Sequence, residues 1–563
     1  MTGNHATRAL IVATLGLVLG AHAYLLPHQN VNWDEFWFLS FVHDHARGTL
    51  SATRQSFHVH LFGWLTGIAA HEVDQVVAAR AAYLILLVGT CTCVYTLGRR
   101  VASVNGALFA VLCYAGYSNV LAHGTSFRTD GLSVFLLMTA LVLVQSEARR
   151  MMAAGAAAVL VGVALLVTIK SALFLPVFAL VLLTHHSRDW RGADARREAA
   201  LFVGATVATA VGLYLWHQSG VVNASVSAAV TSLQSTAGRA IRPDVLFPRY
   251  WEFRETVIAN LVQWTALTSA VVLLAVRILT RRQVPESMAL LVLVVPLLSV
   301  VVYRNAFPYF YVVVMAPALV LCAWTFDQLA RSRWMSGYRS VAVTIAATLA
   351  LAVSVRSFVA TAPRDDTAAQ RAVVGAVHEI FPEPVPYIDR NGMIASFPRV
   401  GFFMSSWGIE RYREEGRPVF ASLLRARGPK FLLVNVPALS AALADPSLVG
   451  RGRTDVLLGE DAAVLRAHFV PYWGPIHVAG TAMHLQPGSE VTWEVLIAGL
   501  YQLHSRAPVA VGNALHQPGA TVELGAGVVS FRSEVAQDVM LRTSSARGVP
   551  PYPPPTGRLY RGF

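Results

Sequence analysis

Apolar and polar positions divide this chain of 563 residues into two parts of different character. Residues 1–360 consist of apolar blocks separated by short arginine-rich stretches, whereas residues 361–563 show the mixed polarity of an ordinary soluble protein. A helix needs about twenty apolar residues to cross a bilayer. The pattern therefore predicts a membrane unit over residues 1–360 and a soluble unit over residues 361–563.

About eleven apolar blocks are candidates for membrane spans. They are residues 8–26, 78–98, 101–123, 130–146, 151–168, 171–186, 199–217, 257–276, 287–303, 309–329 and 340–358. The stretch 151–186 counts as two spans, because a single helix of that length would exceed about 50 Å, against a hydrocarbon core of about 30 Å. We therefore expect a turn at Lys170. The first block lacks a clear signal-peptide cleavage site and is interpreted as a retained span.

Arginine clusters give these spans an orientation. They occur between alternate blocks, within residues 99–100, 149–150, 188–197, 277–282 and 331–339. Loops rich in Lys and Arg face the cytoplasm. The opposite face then carries loop 27–77, the short loop 124–130, Lys170, loop 218–256, loop 304–308 and the soluble unit.

The soluble unit is expected to have two parts. Helical and strand patterns alternate over residues 361–470, which is typical of an α/β arrangement. From residue 471 to 563 short strands are separated by Gly and Pro turns, which predicts a β-rich part resembling a small sandwich. No catalytic group of side chains is evident in either part. The unit is therefore expected to recognise a partner molecule or to cover a cavity of the membrane unit.

Composition agrees with this division. The chain is 55% hydrophobic and only 14% charged, with a mean hydropathy of +0.50, which is too apolar for a soluble protein. Its net charge of +13 is carried mostly by arginines that flank apolar blocks, a pattern of membrane topology rather than of nucleic-acid binding. The four cysteines all lie within apolar blocks, so neither a disulfide framework nor a zinc site is predicted.

Three carboxylates mark the face opposite the arginine clusters. Asp34 and Glu35 follow the first span in the run Asn-Trp-Asp-Glu-Phe-Trp, and Asp130 opens the fourth span. Charges at a membrane interface are costly unless water solvates them or they have a functional role. The acidic pair could instead have no function and simply lie next to the membrane within an aromatic belt. A carboxylate in a water-filled cavity at this depth could act as a general base.

Cations accompany these acids on the same face. Lys170 and Arg304, together with Arg128, could bind a phosphate group. Lys170 could instead extend to the interface, and Arg304 could belong to the aromatic belt. Loop 27–77 adds three further polar candidates, of which the two histidines could equally pack at the interface: Arg54, His58 and His60.

The order of these motifs resembles that of the GT-C glycosyltransferases. The matching features are the Asp-Glu pair after the first span, Arg128-Thr-Asp130 at the fourth, Lys170 before a proline-containing span, and a late Phe-Pro-Tyr-Phe-Tyr run at 307–311 followed by Met-Ala-Pro-Ala-Leu. The resemblance covers residues 8–360. It is closest to bacterial relatives of the protein O-mannosyltransferases and of the aminoarabinose transferase of lipid A. Val59-His60 departs from the Pro-Pro pair that many relatives have at this point.

The resemblance implies an inverting transfer of a sugar from a polyprenyl-phosphate donor, by a single displacement. Asp34 would be the catalytic base. Glu35 would orient it or hold an acceptor or cation, and Asp130 would position a substrate. Donor phosphate and substrate would be bound by two groups of side chains: Lys170, Arg304 and Arg128 for the phosphate, and Arg54, His58 and His60 for the substrate.

The same resemblance implies a multi-pass protein of the bacterial cytoplasmic (inner) membrane with an extracytoplasmic soluble unit. Its partners would be membrane lipids, the lipid-linked donor, and an acceptor that is an envelope lipid, glycan or protein. Some relatives use a divalent metal, but no spacing of His, Asp and Glu in this sequence requires one. Two alternatives stay open: a transporter or flippase of lipid-linked sugars, and a membrane-anchored binding protein.

Overall fold

The computed structural model describes residues 2–53, 55–146, 150–185, 192–222, 238, 240–241, 244–331, 338–361, 367–444, 456–557 and 559–560. Arg54, one of the predicted substrate-binding residues, lies outside these ranges. The α-helices of the first 361 residues are Thr2–His28, Trp33–Ala46, Val59–Phe62, Leu65–Ile68, Glu72–Val101, Val104–Ala115, Ser118–His123, Thr129–Val144, Arg150–Val167, Leu175–His185, Ala193–Gln218, Tyr250–Ala259, Leu261–Leu279, Val284–Leu291, Val295–Leu298, Phe310–Ala318, Leu321–Arg331 and Tyr338–Thr361.

These helices make the chain a multi-pass membrane protein. In the described part, seven helices are long and apolar enough to cross a membrane, and an eighth span would be the pair Phe310–Ala318 and Leu321–Arg331, bent by 41°. Three shorter apolar segments, Val104–Ala115, Thr129–Val144 and Ile169–Leu183, fall on the remaining predicted blocks.

The chain breaks at the turn that the sequence places at Lys170. Helix Arg150–Val167 ends there, and the hydroxyl of Thr168 caps the 3₁₀ helix Ile169–Phe174. Leu175–His185 then continues as a separate helix. Residues 151–186 are therefore not a single helix.

The soluble unit combines helices with two β-sheets. Its helices are Ala368–Ile380, Ser406–Glu415, Phe420–Arg427, Pro437–Leu443 and Gly459–His468. Its strands are β1 (Tyr387–Ile388), β2 (Arg399–Val400), β3 (Phe431–Leu433), β4 (Phe469–Trp473), β5 (Ile476–Leu485), β6 (Glu490–Val495), β7 (Gly499–His504), β8 (Val509–Val511), β9 (Ala514–His516), β10 (Thr521–Leu524), β11 (Gly527–Arg532) and β12 (Gln537–Thr543).

One of the two sheets extends across the predicted division at residue 470. Its order is β10-β7-β12-β5-β3-β1-β2, with β4 also paired to β5. The strands β1, β2 and β3 pair in parallel, whereas β3 and β5 are antiparallel. The second sheet has the order β6-β11-β8-β9. The α/β and β-rich parts therefore share one sheet.

The soluble unit packs directly on loop 27–77. Phe36 of the loop and Phe431 of β3 belong to one hydrophobic core. Glu72, which is fully buried, accepts a hydrogen bond from the backbone N–H of Ser396 (3.0 Å) and contacts Nε2 of His378 (3.1 Å). The loop and the soluble unit therefore lie on the same side of the membrane, so an even number of crossings separates them. We call this end of the membrane unit the loop face and the opposite end the arginine face.

Gly392 lies at a close approach between the two units. Its φ of +87° is in the left-handed region, and a Cβ at this position would lie 2.9 Å from Cβ of Ser40 on helix Trp33–Ala46. Glycine is the residue that avoids both the backbone strain and the clash. The contact of residue 392 with this helix therefore requires glycine.

We expect Gly392→Ala to lower the free energy of unfolding in two ways, through backbone strain and through the clash with Ser40. The clash should cost about 1–3 kcal/mol, because Ser40 must shift. The matched control is Gly428→Ala, since Gly428 has φ +55° but a Cβ at residue 428 would have no neighbour within 4 Å. Thermal unfolding in detergent compares the two variants. Equal destabilisation would show that the approach to Ser40 contributes nothing.

Candidate active site

Helix Trp33–Ala46 begins at the site with a capping box. The side-chain oxygen of Asn32 accepts from the backbone N–H of Asp34 (2.9 Å), and Oε2 of Glu35 accepts from the backbone N–H of Asn32 (2.9 Å). The Asn-x-x-Glu sequence satisfies backbone donors that would otherwise lack partners at the start of a helix. This local signal holds both acidic residues in the first turn, where the helix dipole favours negative charge.

Glu35 is buried and fully bonded. Arg80 donates from Nε to Oε1 (2.8 Å) and from Nη2 to Oε2 (2.6 Å), and the backbone N–H of Phe127 donates to Oε1 (2.8 Å). Burial raises the pKa of the Glu35 carboxyl, but the Arg80 guanidinium and the hydrogen bonds bring it below its ordinary value. With the bond from Asn32, all four acceptor positions of the carboxylate are used. Glu35 therefore ties together the helix start, helix Glu72–Val101 and the turn before Arg128.

Asp34 and Asp130 form a chain of alternating charges with Arg128 and Lys170, two of the predicted phosphate-binding cations. Nη1 of Arg128 binds Oδ2 of Asp34, and Nε of Arg128 lies 3.3 Å from Oδ2 of Asp130. Nζ of Lys170 donates to Oδ1 of Asp130 at 2.6 Å. We call these four residues the charge quartet. Two acids and two bases balance each other, which allows the group to be largely buried.

Asp34 is the most accessible member of the charge quartet. Its side chain is 18% exposed, whereas those of Arg128 and Asp130 are 5% and 3% exposed. Arg128 binds Oδ2 of Asp34, whereas Oδ1 accepts no hydrogen bond from the described residues. Of the two acids in the charge quartet, Asp34 is therefore more accessible to a substrate than Asp130.

Tyr309 lies against both cations of the charge quartet. The centroid of its ring is 3.8 Å from Cζ of Arg128 and 4.4 Å from Nζ of Lys170. Cations are attracted to the face of an aromatic ring, most strongly where water is excluded. Tyr309 occurs in the late Tyr-rich run but was not among the predicted site residues. Arg80 was also missed, although a lone arginine within an apolar block is itself a signal of function.

Arg304 contacts the soluble unit instead of the charge quartet. Its Nη2 lies 3.2 Å from Oε2 of Glu410, and its Cζ lies 3.9 Å from the ring of Trp407. Both partners belong to helix Ser406–Glu415. The predicted role of Arg304 in binding the donor phosphate would require this contact to break.

The two loop histidines are not brought to the charge quartet either. His58 is 1% exposed, with Nε2 3.0 Å from the carbonyl oxygen of Phe38. Nε2 of His60 lies 2.9 Å from Nδ1 of His217. Their environment corresponds to the packing alternative, and their predicted contact with a substrate is not supported by these positions.

The soluble unit adds an arginine next to Asp34. The Arg390 guanidinium lies over the ring of Trp33 at 3.9 Å, and Nε of Arg390 is buried with no hydrogen-bond partner among the described residues. Burial lowers the pKa of Arg390, whereas Tyr560 and Asp34 act in the opposite direction. Sequence reasoning missed Arg390, because nothing in the ordinary composition of the soluble unit distinguishes it.

A loop anchored by a buried aspartate holds Arg390 in place. Asp389 accepts from the backbone N–H groups of Gly392 (2.7 Å) and Met393 (2.8 Å). Burial raises the pKa of Asp389, although Arg399 and these N–H groups oppose the shift. Nδ2 of Asn391 donates to the carbonyl oxygen of Trp33 at 2.5 Å. The loop is thereby joined to the residue that precedes Asp34.

Residues 559–560 complete this side of the site. The hydroxyl of Tyr560 donates to Oδ1 of Asn391 (2.9 Å), and its ring meets that of Trp33 edge to face at 6.1 Å. The carbonyl oxygen of Leu559 accepts from Nδ2 of Asn30 at 3.2 Å. A segment more than 500 residues away in sequence therefore braces the start of helix Trp33–Ala46.

The described residues around Asp34 and Asp130 form no ready-made site for a divalent metal. Each carboxylate is engaged by a cation of the charge quartet. No group of three or more His, Cys, Asp or Glu side chains in the described part of the chain is arranged to hold a metal ion.

Two solved structures share this architecture. ArnT from Cupriavidus metallidurans, bound to undecaprenyl phosphate, is 16% identical, and the match covers 75% of this chain and 92% of that chain with a TM-score of 0.52. AglB from Archaeoglobus fulgidus, an archaeal oligosaccharyltransferase in complex with an inhibitory peptide and a dolichol-phosphate, is 12% identical. That match covers 96% of both chains with a TM-score of 0.55. The chain has the GT-C fold.

Residues 60–216 of this GT-C chain match the family model described as dolichyl-phosphate-mannose-protein mannosyltransferase. The matched segment includes Arg128, Asp130 and Lys170 but not Asp34. No curated protein sequence matches the chain. The predicted fold class is confirmed.

Removal of the Glu35 charge should destabilise the GT-C core, because it leaves Arg80 buried and unpaired. We expect Glu35→Gln to cost about 3–5 kcal/mol, measured by thermal unfolding of the purified protein in detergent. The double variant Glu35→Leu with Arg80→Met should recover much of this loss, since it removes both charges. Wild-type stability of Glu35→Gln would contradict the assigned role of the pair.

Proposed function

We propose that this protein is a glycosyltransferase, which moves a sugar from a polyprenyl-phosphate donor to an acceptor at the loop face, with inversion at the anomeric carbon. The observation that carries the proposal is the charge quartet, in which an accessible carboxylate lies next to two cations. The two relatives with the same fold were solved with a polyprenyl phosphate or a dolichol-phosphate bound. We assign the loop face to the outside of a bacterial cytoplasmic membrane.

Asp34 is the proposed general base. An acceptor hydroxyl or amine attacks the anomeric carbon, and its proton passes to Oδ1 of Asp34. Arg128 holds Oδ2 and so keeps the free oxygen directed outward. A positioned base of this kind contributes about 10²–10⁴-fold to rate. A single displacement needs no covalent intermediate, so one base is sufficient.

Lys170 and Arg128 are the proposed partners of the leaving phosphate. The bond between the anomeric carbon and the phosphate oxygen breaks as the acceptor bond forms, and the lipid phosphate takes the electron pair. Cations placed beforehand stabilise this growing charge without reorganisation. Tyr309 lies against both cations and helps to hold them in place. Asp130 then positions Lys170, which it binds at 2.6 Å.

Arg390 is the proposed contact of the soluble unit with the reacting groups. It lies beside Trp33 and has an unused Nε donor. A buried donor without a partner is costly, and a substrate oxygen would satisfy it. This arrangement supports acceptor recognition by the soluble unit, and a lipid, a glycan or a protein could each supply such an oxygen.

The Asp34→Asn variant should lose about 10²–10⁴-fold in kcat while it still inserts and binds the donor, because an amide cannot accept the proton. The assay supplies polyprenyl-phosphate sugars to membranes that contain the protein. Asp44→Asn is the matched control, since Asp44 lies on the same helix but pairs with Arg47 (2.7 Å). Asp44→Asn should keep transfer within about twofold of wild type.

Full transfer by Asp34→Asn would refute the assignment of the base. Lipid scrambling without transfer from any sugar donor would instead favour the flippase alternative. The same assay with a chelator reports on any dependence on a divalent metal.

Lys170→Gln should lower kcat/KM for the donor by about 10²-fold, because one cation no longer faces the leaving phosphate. Arg304→Gln is the comparison, since Arg304 contacts Glu410 instead. We expect this second variant to change kcat/KM by less than about threefold. An equal loss in both variants would show that Arg304 also contributes to use of the donor. Undecaprenyl phosphate binding to each purified variant separates donor affinity from chemistry.

A further inference from the structure

A cavity of about 500 Å³ opens at the arginine face. Polar side chains and an indole ring account for much of its lining: Arg100, Gln145, Arg277, Ser287, Trp324 and Arg331. Its remaining lining includes the apolar side chains of Leu274, Leu290 and Leu293, together with one acid, Glu286. The cavity thus combines basic groups with apolar walls at the end of the membrane unit.

The cavity lies at the opposite ends of the helices that form the active site. Helix Glu72–Val101 starts beside the soluble unit and ends next to the cavity at Arg100. Helix Thr129–Val144 carries Asp130 in its first turn and is followed by Gln145 of the cavity. The 16 residues of this helix rise about 24 Å, so the two sites are separated by most of a bilayer core.

Arg277 brings an unneutralised charge to the cavity. Its Nη1 and Nη2 donate to the neutral side-chain oxygens of Gln283 (2.9 Å) and Gln328 (3.0 Å). Its guanidinium also lies 4.8 Å from the ring of Trp324. No carboxylate of a described residue forms an ion pair with it, unlike Arg331, which lies 3.6 Å from Asp327. The guanidinium is therefore held in place by neutral groups and can attract an anion.

Ser287 is a second and independent sign of a ligand. Its side chain is 2% exposed, and its hydroxyl has no hydrogen-bond partner among the described residues. Buried hydroxyl groups are almost always bonded, because an unmet donor costs free energy. Ser287 lines the same cavity as Arg277. An oxygen of a bound anion would satisfy it.

We propose that this cavity binds the phosphate headgroup of an acidic phospholipid from the leaflet at the arginine face. Arg277, Arg100 and the Ser287 hydroxyl contact the phosphate oxygens, while the acyl chains lie along the apolar wall. That wall favours a lipid over a free anion, since soluble phosphate gains nothing from Leu274 or Leu290. Basic pockets between membrane helices are known to hold acidic headgroups. Binding here is independent of the proposed transfer reaction.

The test is lipid binding to the delipidated full chain in detergent, followed by native mass spectrometry. Dioleoyl phosphatidylglycerol should bind at one saturable site, in preference to dioleoyl phosphatidylcholine. The double variant Arg100→Gln with Arg277→Gln should weaken phosphatidylglycerol binding by about twentyfold or more. Ser287→Leu, which fills the cavity without a change in charge, should also abolish the saturable site.

The matched control is Arg281→Gln with Arg282→Gln, which removes the same charge from the same face. Both arginines are exposed and neither lines the cavity. This control should keep the affinity within about twofold of wild type. An equal loss in the control would show a diffuse surface attraction and overturn the proposal. Equal binding of phosphatidylcholine, or full competition by millimolar inorganic phosphate, would overturn it as well. Melting temperatures of all variants confirm that each is folded.

Discussion

The burial of the Glu35 carboxylate is the constraint on which the site depends. A buried charge is tolerated only when it is paired and its oxygens are hydrogen-bonded. Arg80, Asn32 and Phe127 meet that need, and they come from three different segments of the chain. Bonding of Glu35 therefore fixes where helix Trp33–Ala46 begins and where the turn that carries Arg128 lies. The charge quartet follows from that placement.

A second level of order comes from the soluble unit. It shares a hydrophobic core with loop 27–77, and Glu72 binds Ser396 across the junction. Such an extensive contact makes the soluble unit part of the site rather than a tethered accessory. Arg390 reaches the neighbourhood of Asp34 only because of this docking. The charge quartet of the membrane unit and Arg390 of the soluble unit thus lie on either side of Trp33.

Much of this arrangement could be predicted from the sequence, because charges are conspicuous in apolar blocks. Asp34, Asp130 and Lys170 were identified by depth and face, and they lie in one cluster together with Arg128. Depth and face do not give the direction of a side chain in a turn, and Arg304, which the sequence groups with them, contacts Glu410 instead. His58 likewise lies in a turn, and its ring contacts the carbonyl oxygen of Phe38. Arg390 could not be found, since its position depends on long-range docking that no local pattern records.

The position of Tyr560 has a consequence for biosynthesis. Its ring packs on Trp33 and Phe36, and the carbonyl oxygen of Leu559 accepts a hydrogen bond from Asn30. The start of helix Trp33–Ala46 therefore gains its last contacts from residues synthesised some five hundred positions later. A ribosome that adds about 5–20 residues per second would take roughly half a minute to two minutes to cover that interval. During this time Trp33 and Phe36 lack the ring of Tyr560, although Glu35 can already bind Arg80 and Asp34 can already bind Arg128. This side of the candidate site is therefore completed only after the soluble unit has been synthesised.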